Sequence, residues 1–127
     1  GVDLGEGHGV DLVAPDGFQS LYFREGYFDV VHSEEAFEHA EKWRELLYAM
    51  VYTLKRGGLL MVTCATPARG EHGTKKCSPQ DSPYTNDWYR GIQEEELRNE
   101  ISKYKWLDHK IDVGNGGMDL YFYGIKG

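Results

Sequence analysis

The sequence predicts an α/β fold: a mostly parallel sheet that ends in one antiparallel hairpin. Three observations carry that expectation. A β-branched and aromatic run, Tyr27–His32, is followed by an amphipathic stretch, Glu41–Arg56, and then by an apolar run without alternation, Leu59–Ala65. This is the strand–helix–strand order of a parallel crossover unit, whose strands are buried on both faces and so lack a polar side. At the end of the chain, Trp106–Val113 and Met118–Ile125 flank Gly114-Asn115-Gly116-Gly117, the pattern of an antiparallel hairpin.

Taken in order, Gly1–Leu4 and Val10–Val13 are short apolar pieces separated by a glycine-rich turn. Tyr27–His32 reads as a buried strand, after which Ser33 and Glu34 are placed to cap the next turn. In Glu41–Arg56, the residues Trp43, Leu46, Leu47, Met50, Val51 and Leu54 recur on one face of a 3.6-residue period. Lys55 and Arg56 suit the negative end of that helix, and Gly57 suits a left-handed cap. Thr66–Asp87 contains Pro67, Pro79 and Pro83 and reads as a long loop, of the kind that covers a site. Gln93–Tyr104 reads as a second helix, with Glu94, Glu95 and Glu96 in its first turn and a stripe of Leu97, Ile101 and Tyr104. Sheets of this kind bind ligands at the carboxyl ends of their strands.

Length and composition bound the function. The 127 residues make one domain at most. An apolar content of 40% is enough for a core. The net charge of −7 comes with no basic stripe, so nucleic acid is not the expected partner. A small molecule, glycan or protein substrate is. No apolar stretch is long enough for a membrane helix, and no signal-peptide pattern is present. Cys64 and Cys77 match neither a zinc knuckle nor a redox pair, and they read as reduced thiols of a cytoplasmic protein. Glu38-His39 lacks the second histidine of H-E-x-x-H, so no metal ligands are expected.

The segment Phe28–Ala65 carries a family resemblance. It shows Phe-Asp-Val-Val (28–31), Glu35-Ala36-Phe37-Glu38-His39, then Leu54-Lys55-Arg56-Gly57-Gly58 and an apolar strand. This resembles the second half of class I S-adenosylmethionine-dependent methyltransferases of type 11, which show an "F-D-V-V" strand, an "E-x-L-E-H" turn and a helix ending "L-K-P-G-G". Arg56 stands where the proline is usual and Phe37 where the leucine is. The loop and second helix, from Gly70 to Leu97, resemble a bacterial subgroup of the family. The resemblance implies a Rossmann-like methyltransferase sheet with a C-terminal antiparallel hairpin.

Val2-Asp3-Leu4-Gly5-Glu6-Gly7-His8-Gly9 matches the family's first motif, a strand followed by G-x-G-x-G. Only Val10–Tyr27 lie between it and Phe28, too few residues for the helices and strands that follow that motif in the family. The second assignment makes Gly1–Leu4 the family's second strand and Val10–Val13 its third. The first strand and the glycine loop would then be missing, and residues 1–127 would be a single partial methyltransferase domain. Its exposed sheet edge would favour a homo-oligomer.

On this resemblance, the cofactor is S-adenosylmethionine. Asp3 would accept hydrogen bonds from ribose hydroxyls, or it is a turn residue capping Gly5. Gly5, Asp16, Ser33 and Glu34 would complete the cofactor side. His39 is the candidate catalytic residue, taking a proton from the acceptor, with a histidine that merely holds the turn as the alternative. Thr63, at the end of its strand, and Lys75, Tyr89 and Arg90, in or after the long loop, are the candidate substrate-binding residues; His72 and Asp87 lie in the same loop. Trp88 and Tyr89 are alternatively a staple into the core. Cys64 reads as core rather than nucleophile. The implied function is methyl transfer to an oxygen or nitrogen of a small-molecule or glycan acceptor. The alternative is a non-catalytic module that only self-associates. A dinucleotide-binding dehydrogenase is the poorest reading, because Val10–Val13 follows the glycines as a strand and not as a helix.

Overall fold

A computed structural model of the chain describes residues 1–14, 23–85 and 87–127. Two short strands, β1 (Val2–Asp3) and β2 (Leu12–Val13), pair in parallel as a small separate sheet. The main sheet has the order β3-β4-β6-β5, from β3 (Phe28–Glu34), β4 (Leu54–Ala65), β5 (Trp106–Gly114) and β6 (Asp119–Lys126). β3 and β4 are parallel, whereas β6 runs antiparallel to both β4 and β5. The expected terminal antiparallel hairpin and a parallel crossover pair are present, but the four-stranded sheet holds one parallel pairing and two antiparallel ones, so it is mixed rather than mostly parallel. The parallel β1–β2 pair fits the assignment of these pieces to a second and third strand. Among the described residues no strand stands between β1 and β3.

Helix α1 spans Trp43–Thr53 and helix α2 spans Glu94–Ile101. α1 is shorter than the expected Glu41–Arg56. Strand β4 takes over at Leu54, and the Thr53 hydroxyl closes the last turn by donating to the Ala49 and Met50 carbonyls. Lys55 therefore pairs with Asp29 rather than with a helix end, at 2.8 Å. Gly57 does adopt a left-handed conformation, with φ 77°, but inside an irregularity of β4. A Cβ at the next residue, Gly58, would approach the Asp29 and Lys55 carbonyls to 2.9 Å. α2 ends at Ile101, earlier than expected, and starts with a capping box between Gln93 and Glu96.

Both helices bury their apolar stripes in one core. Leu46, Leu47, Met50 and Val51 of α1 and Leu97 and Ile101 of α2 meet Leu60, Val62, Cys64, Leu120 and Phe122 of the sheet. One expectation fails here. Along β4, buried residues alternate with half-buried ones, and Val30, Tyr121 and Tyr123 are exposed. Among the described residues the sheet is packed by helices on one face, so apolar content in β4 does not mean two covered faces. β3 is likewise a half-exposed edge strand rather than a buried one.

A candidate cofactor cleft and an acceptor-side cluster

A cleft of about 660 Å³ runs between the two sheets, with Val2, Asp3 and Leu4 on one side and Val31, Ser33 and Glu34 on the other. The size is that of a small-molecule site. Met50 and Thr53 of α1 line it from below, and at its carboxyl end it reaches His39. The cleft exists because β1 pairs only with β2 and β3 only with β4, leaving two facing edges free.

Asp3 is exposed, and its carboxylate accepts the Leu4 N–H at 2.6 Å. The hydrogen bond is thus to Leu4 rather than Gly5, and Asp3 also lines the cleft. Ser33 and Glu34 complete β3 and line the cleft. They cap nothing: the 3-10 turn Phe37–His39 begins at Ala36 with no side-chain cap. Gly5 lies outside the cleft wall, where a Cβ would strike the Tyr84 ring at 2.5 Å. Its lack of a side chain serves loop packing. Asp16 lies outside the described residues.

The 3-10 turn brings His39 to the mouth of the cleft and buries Glu38 beside it. Glu35, just before it, takes the left-handed region with φ 49°, a strained conformation of the kind that collects at functional sites. Its N–H is held by the Thr63 carbonyl at 2.9 Å, and the Glu38 carbonyl accepts from Arg90 N–H at 2.9 Å. The Glu35 carboxylate pairs with Arg69, whose other nitrogen reaches Asp119 at 2.7 Å. The His39 ring stands edge-on to His72, at a centroid distance of 5.0 Å and 84°. Tyr89 packs on both imidazoles at 5.4 and 4.9 Å. The long loop closes tightly here: at Gly73, with φ 66°, a Cβ would come within 2.8 Å of His39. Glu38 is fully buried. That burial, with the Glu35 carboxyl beside it, pushes its carboxyl up to about 7. His39 is shifted down, first by burial and then by the neighbouring His72.

Of the expected substrate residues, Tyr89 joins His39, while the others are occupied elsewhere. Lys75 is exposed and faces Asp87 at 3.4 Å. The Arg90 guanidinium binds Glu96 at 3.0 and 3.1 Å, where it clamps the start of α2. Thr63 lies in a shallow recess on the uncovered sheet face beside Tyr121, away from the cleft. Tyr89 is half-buried, packs on the two imidazoles and stands outside the core cluster, with its hydroxyl on the Arg69 carbonyl at 3.3 Å. Cys64 is core, as expected, and burial pushes its thiol far up. Glu38, His72 and Arg69 were not among the site residues expected from the sequence, although Glu38 was noted in the turn and His72 in the loop. The one usable signal was Glu35-x-x-Glu38-His39, two carboxyls and an imidazole on a single tight turn.

A parallel strand pair joined by a crossover helix, beside a terminal antiparallel hairpin, defines a class: the fold is that of class I S-adenosylmethionine-dependent methyltransferases. Comparison with known proteins agrees. Residues 3–62 match the family described as a methyltransferase domain. The chain is similar in structure to an S-adenosylmethionine-dependent methyltransferase from Archaeoglobus fulgidus, with a TM-score of 0.69, 16% identity, and coverage of 99% of this chain and 75% of that one. It is also similar to a methyltransferase from Thermotoga maritima described as a possible histamine N-methyltransferase, with a TM-score of 0.64, 15% identity, and coverage of 94% and 65%. A third similar structure is Haemonchus contortus phosphoethanolamine N-methyltransferase 2, in complex with phosphomonomethylethanolamine and S-adenosylhomocysteine, with a TM-score of 0.62, 12% identity, and coverage of 91% and 36%. The chain thus spans from about a third to three quarters of the length of these proteins. No curated protein matches it.

Proposed function

We propose that the domain takes part in S-adenosylmethionine-dependent methyl transfer to an oxygen or nitrogen of a small-molecule or glycan acceptor. The observation that carries this reading is the cleft, which has a carboxylate at the end of β1 on one side and the end of β3 on the other. Asp3 suits a ribose diol, because a carboxylate accepts two hydroxyl donors. Ser33 and Glu34 offer further polar contacts opposite it, and the apolar lining from Leu4, Val31 and Met50 suits an aromatic base. The cofactor, when bound, supplies an electrophilic methyl group on a sulfonium. The protein's share is to align donor and acceptor, exclude water and take up one proton.

The acceptor side is the cluster at the cleft mouth. His39 is shared by the cleft and the cluster, so it is the group best placed to meet an acceptor hydroxyl or amine. Tyr89 fixes the imidazole plane, and the loop around Gly73 shields it. The two free cysteines are compatible with a reducing cytoplasm, where we place the reaction.

Isothermal titration with S-adenosylhomocysteine tests the reading. One site with micromolar affinity, weakened about ten-fold in Asp3→Ala by loss of a charged hydrogen-bond acceptor, is the expected result. Absence of binding at millimolar cofactor would favour the second reading, a non-catalytic module that only self-associates. The free edge of β3, with Val30 exposed at its centre, is what supports that alternative.

A further inference from the structure

The acceptor-side cluster contains a buried carboxyl that the reading above does not use. Glu38 has no solvent exposure, and its carboxyl oxygens make no hydrogen bond of good geometry, with the Glu35 carboxyl and the Ala65 backbone close by. A carboxylate left this way is costly unless a charge or a donor answers it. The Nδ1 of His39 is also buried without a partner. His72 arrives from the loop after β4, and one ligand atom each from Glu38, His39 and His72 lies within 4.8 Å of the others.

We propose that Glu38, His39 and His72 bind a divalent transition-metal ion of the Zn²⁺ type at the mouth of the cleft. Two imidazoles and a carboxylate are borderline nitrogen and oxygen donors, which favour Zn²⁺, Mn²⁺, Fe²⁺ or Co²⁺ over Ca²⁺ and Mg²⁺. Around a tetrahedral ion such ligand atoms sit about 3.4 Å apart, so the three side chains close inward by rotamer adjustment.

The surroundings are those that ligands need. The His72 Nδ1 lies 3.1 Å from the Gly70 carbonyl; an Nδ1–H donated there leaves the Nε2 lone pair for a metal, the outer-shell pattern of metal-binding histidines. Tyr89, packed on both rings, fixes their planes. Glu35 stands next to Glu38 as a further oxygen donor, and its Arg69 partner is balanced by Asp119. Two adjacent carboxyls beside two imidazoles make a nitrogen and oxygen donor set that suits a dication. Because His39 also lines the cleft, an ion held by this cluster would lie beside the acceptor side.

Metal binding stands on this cluster alone. The added statement, that the ion meets an acceptor oxygen and acidifies it so that His39 acts as ligand rather than free base, rests on the proposed function. The test uses chelator-treated protein titrated with Zn²⁺ by calorimetry and with Co²⁺ by visible absorption, followed by S-adenosylhomocysteine on the same samples. The expected result is one Zn²⁺ per chain and a Co²⁺ d–d band. Affinity should fall at least ten-fold in His72→Ala, a loop substitution whose folding is checked by circular dichroism, and should be unchanged in His109→Ala on the exposed β5. No stoichiometric Zn²⁺ uptake, or His72→Ala binding as tightly as the parent, overturns the metal site even if S-adenosylhomocysteine binds. Zn²⁺ bound at this cluster without S-adenosylhomocysteine binding supports the metal site and overturns the reading of the cleft.

Discussion

Glycine and charge placement at single positions carry costs that can be measured. Gly57 holds φ 77° with open space around its missing Cβ, so a side chain there meets strain and no clash. Gly57→Ala should lower stability by about 1 kcal/mol, read from urea denaturation. Glu96 receives Arg90 and Arg44, and these partners, Arg90 foremost, hold its carboxyl below the ordinary 4.5. A depressed carboxyl stabilises the fold fully above its unfolded value and loses that contribution as pH falls through its folded value. Stability should therefore decline below about pH 4.5, and Glu96→Gln should remove on the order of 0.5 kcal/mol of that acid dependence. The sequence offered Arg90 as a substrate ligand because it follows a long loop. Position along the chain says nothing about which carboxylate a guanidinium finds, and here the capping glutamate of α2 is within reach.

The elements differ in how far the chain alone fixes them. α1 was legible because its stripe is long and its spacing regular, and Leu47, fully buried at its centre, anchors it. Leu47→Ala should cost about 2–5 kcal/mol, measured by denaturant titration, because a cavity is left against Phe37 and the sheet. Its end was not legible. Leu54, Lys55 and Arg56 suit a helix by propensity, yet they are drawn into β4 by pairing with β3, where Phe28 faces Leu54. Tertiary hydrogen bonding overrode local preference. β4 taught the complementary lesson: a continuous apolar run reads as covered on both faces, but Met61 and Thr63 face the side without helices.

At the scale of the molecule, the two sheets leave a cleft between free edges, and the edge strand β3 carries Val30 exposed at its centre. We propose that the self-associating alternative uses that edge, with a dimer by light scattering as the expected result and a monomer as the result that overturns it. Val30→Lys, which places a charge on the exposed centre of β3, should return the protein to a monomer while leaving the α1 and α2 core intact. Among the described residues no helix is long and apolar enough to cross a membrane.

The sequence by itself determined the order of elements, the hairpin, the core stripes of both helices and the motifs that resemble a methyltransferase, because these depend on local periodicity and turn chemistry. It marked His39 and Tyr89 without showing that they touch. Only the tertiary structure decided which face of the sheet is covered, where the cleft lies, and that His72 returns across β4 and a long loop to stand beside Glu38 and His39. A search for ligands at fixed local spacing cannot find such a set, because its members are joined by folding and not by sequence interval. Burial then gives the cluster its chemistry: a carboxyl beside two imidazoles is ordinary in water, and becomes a site only where the fold has removed the water that would otherwise satisfy it.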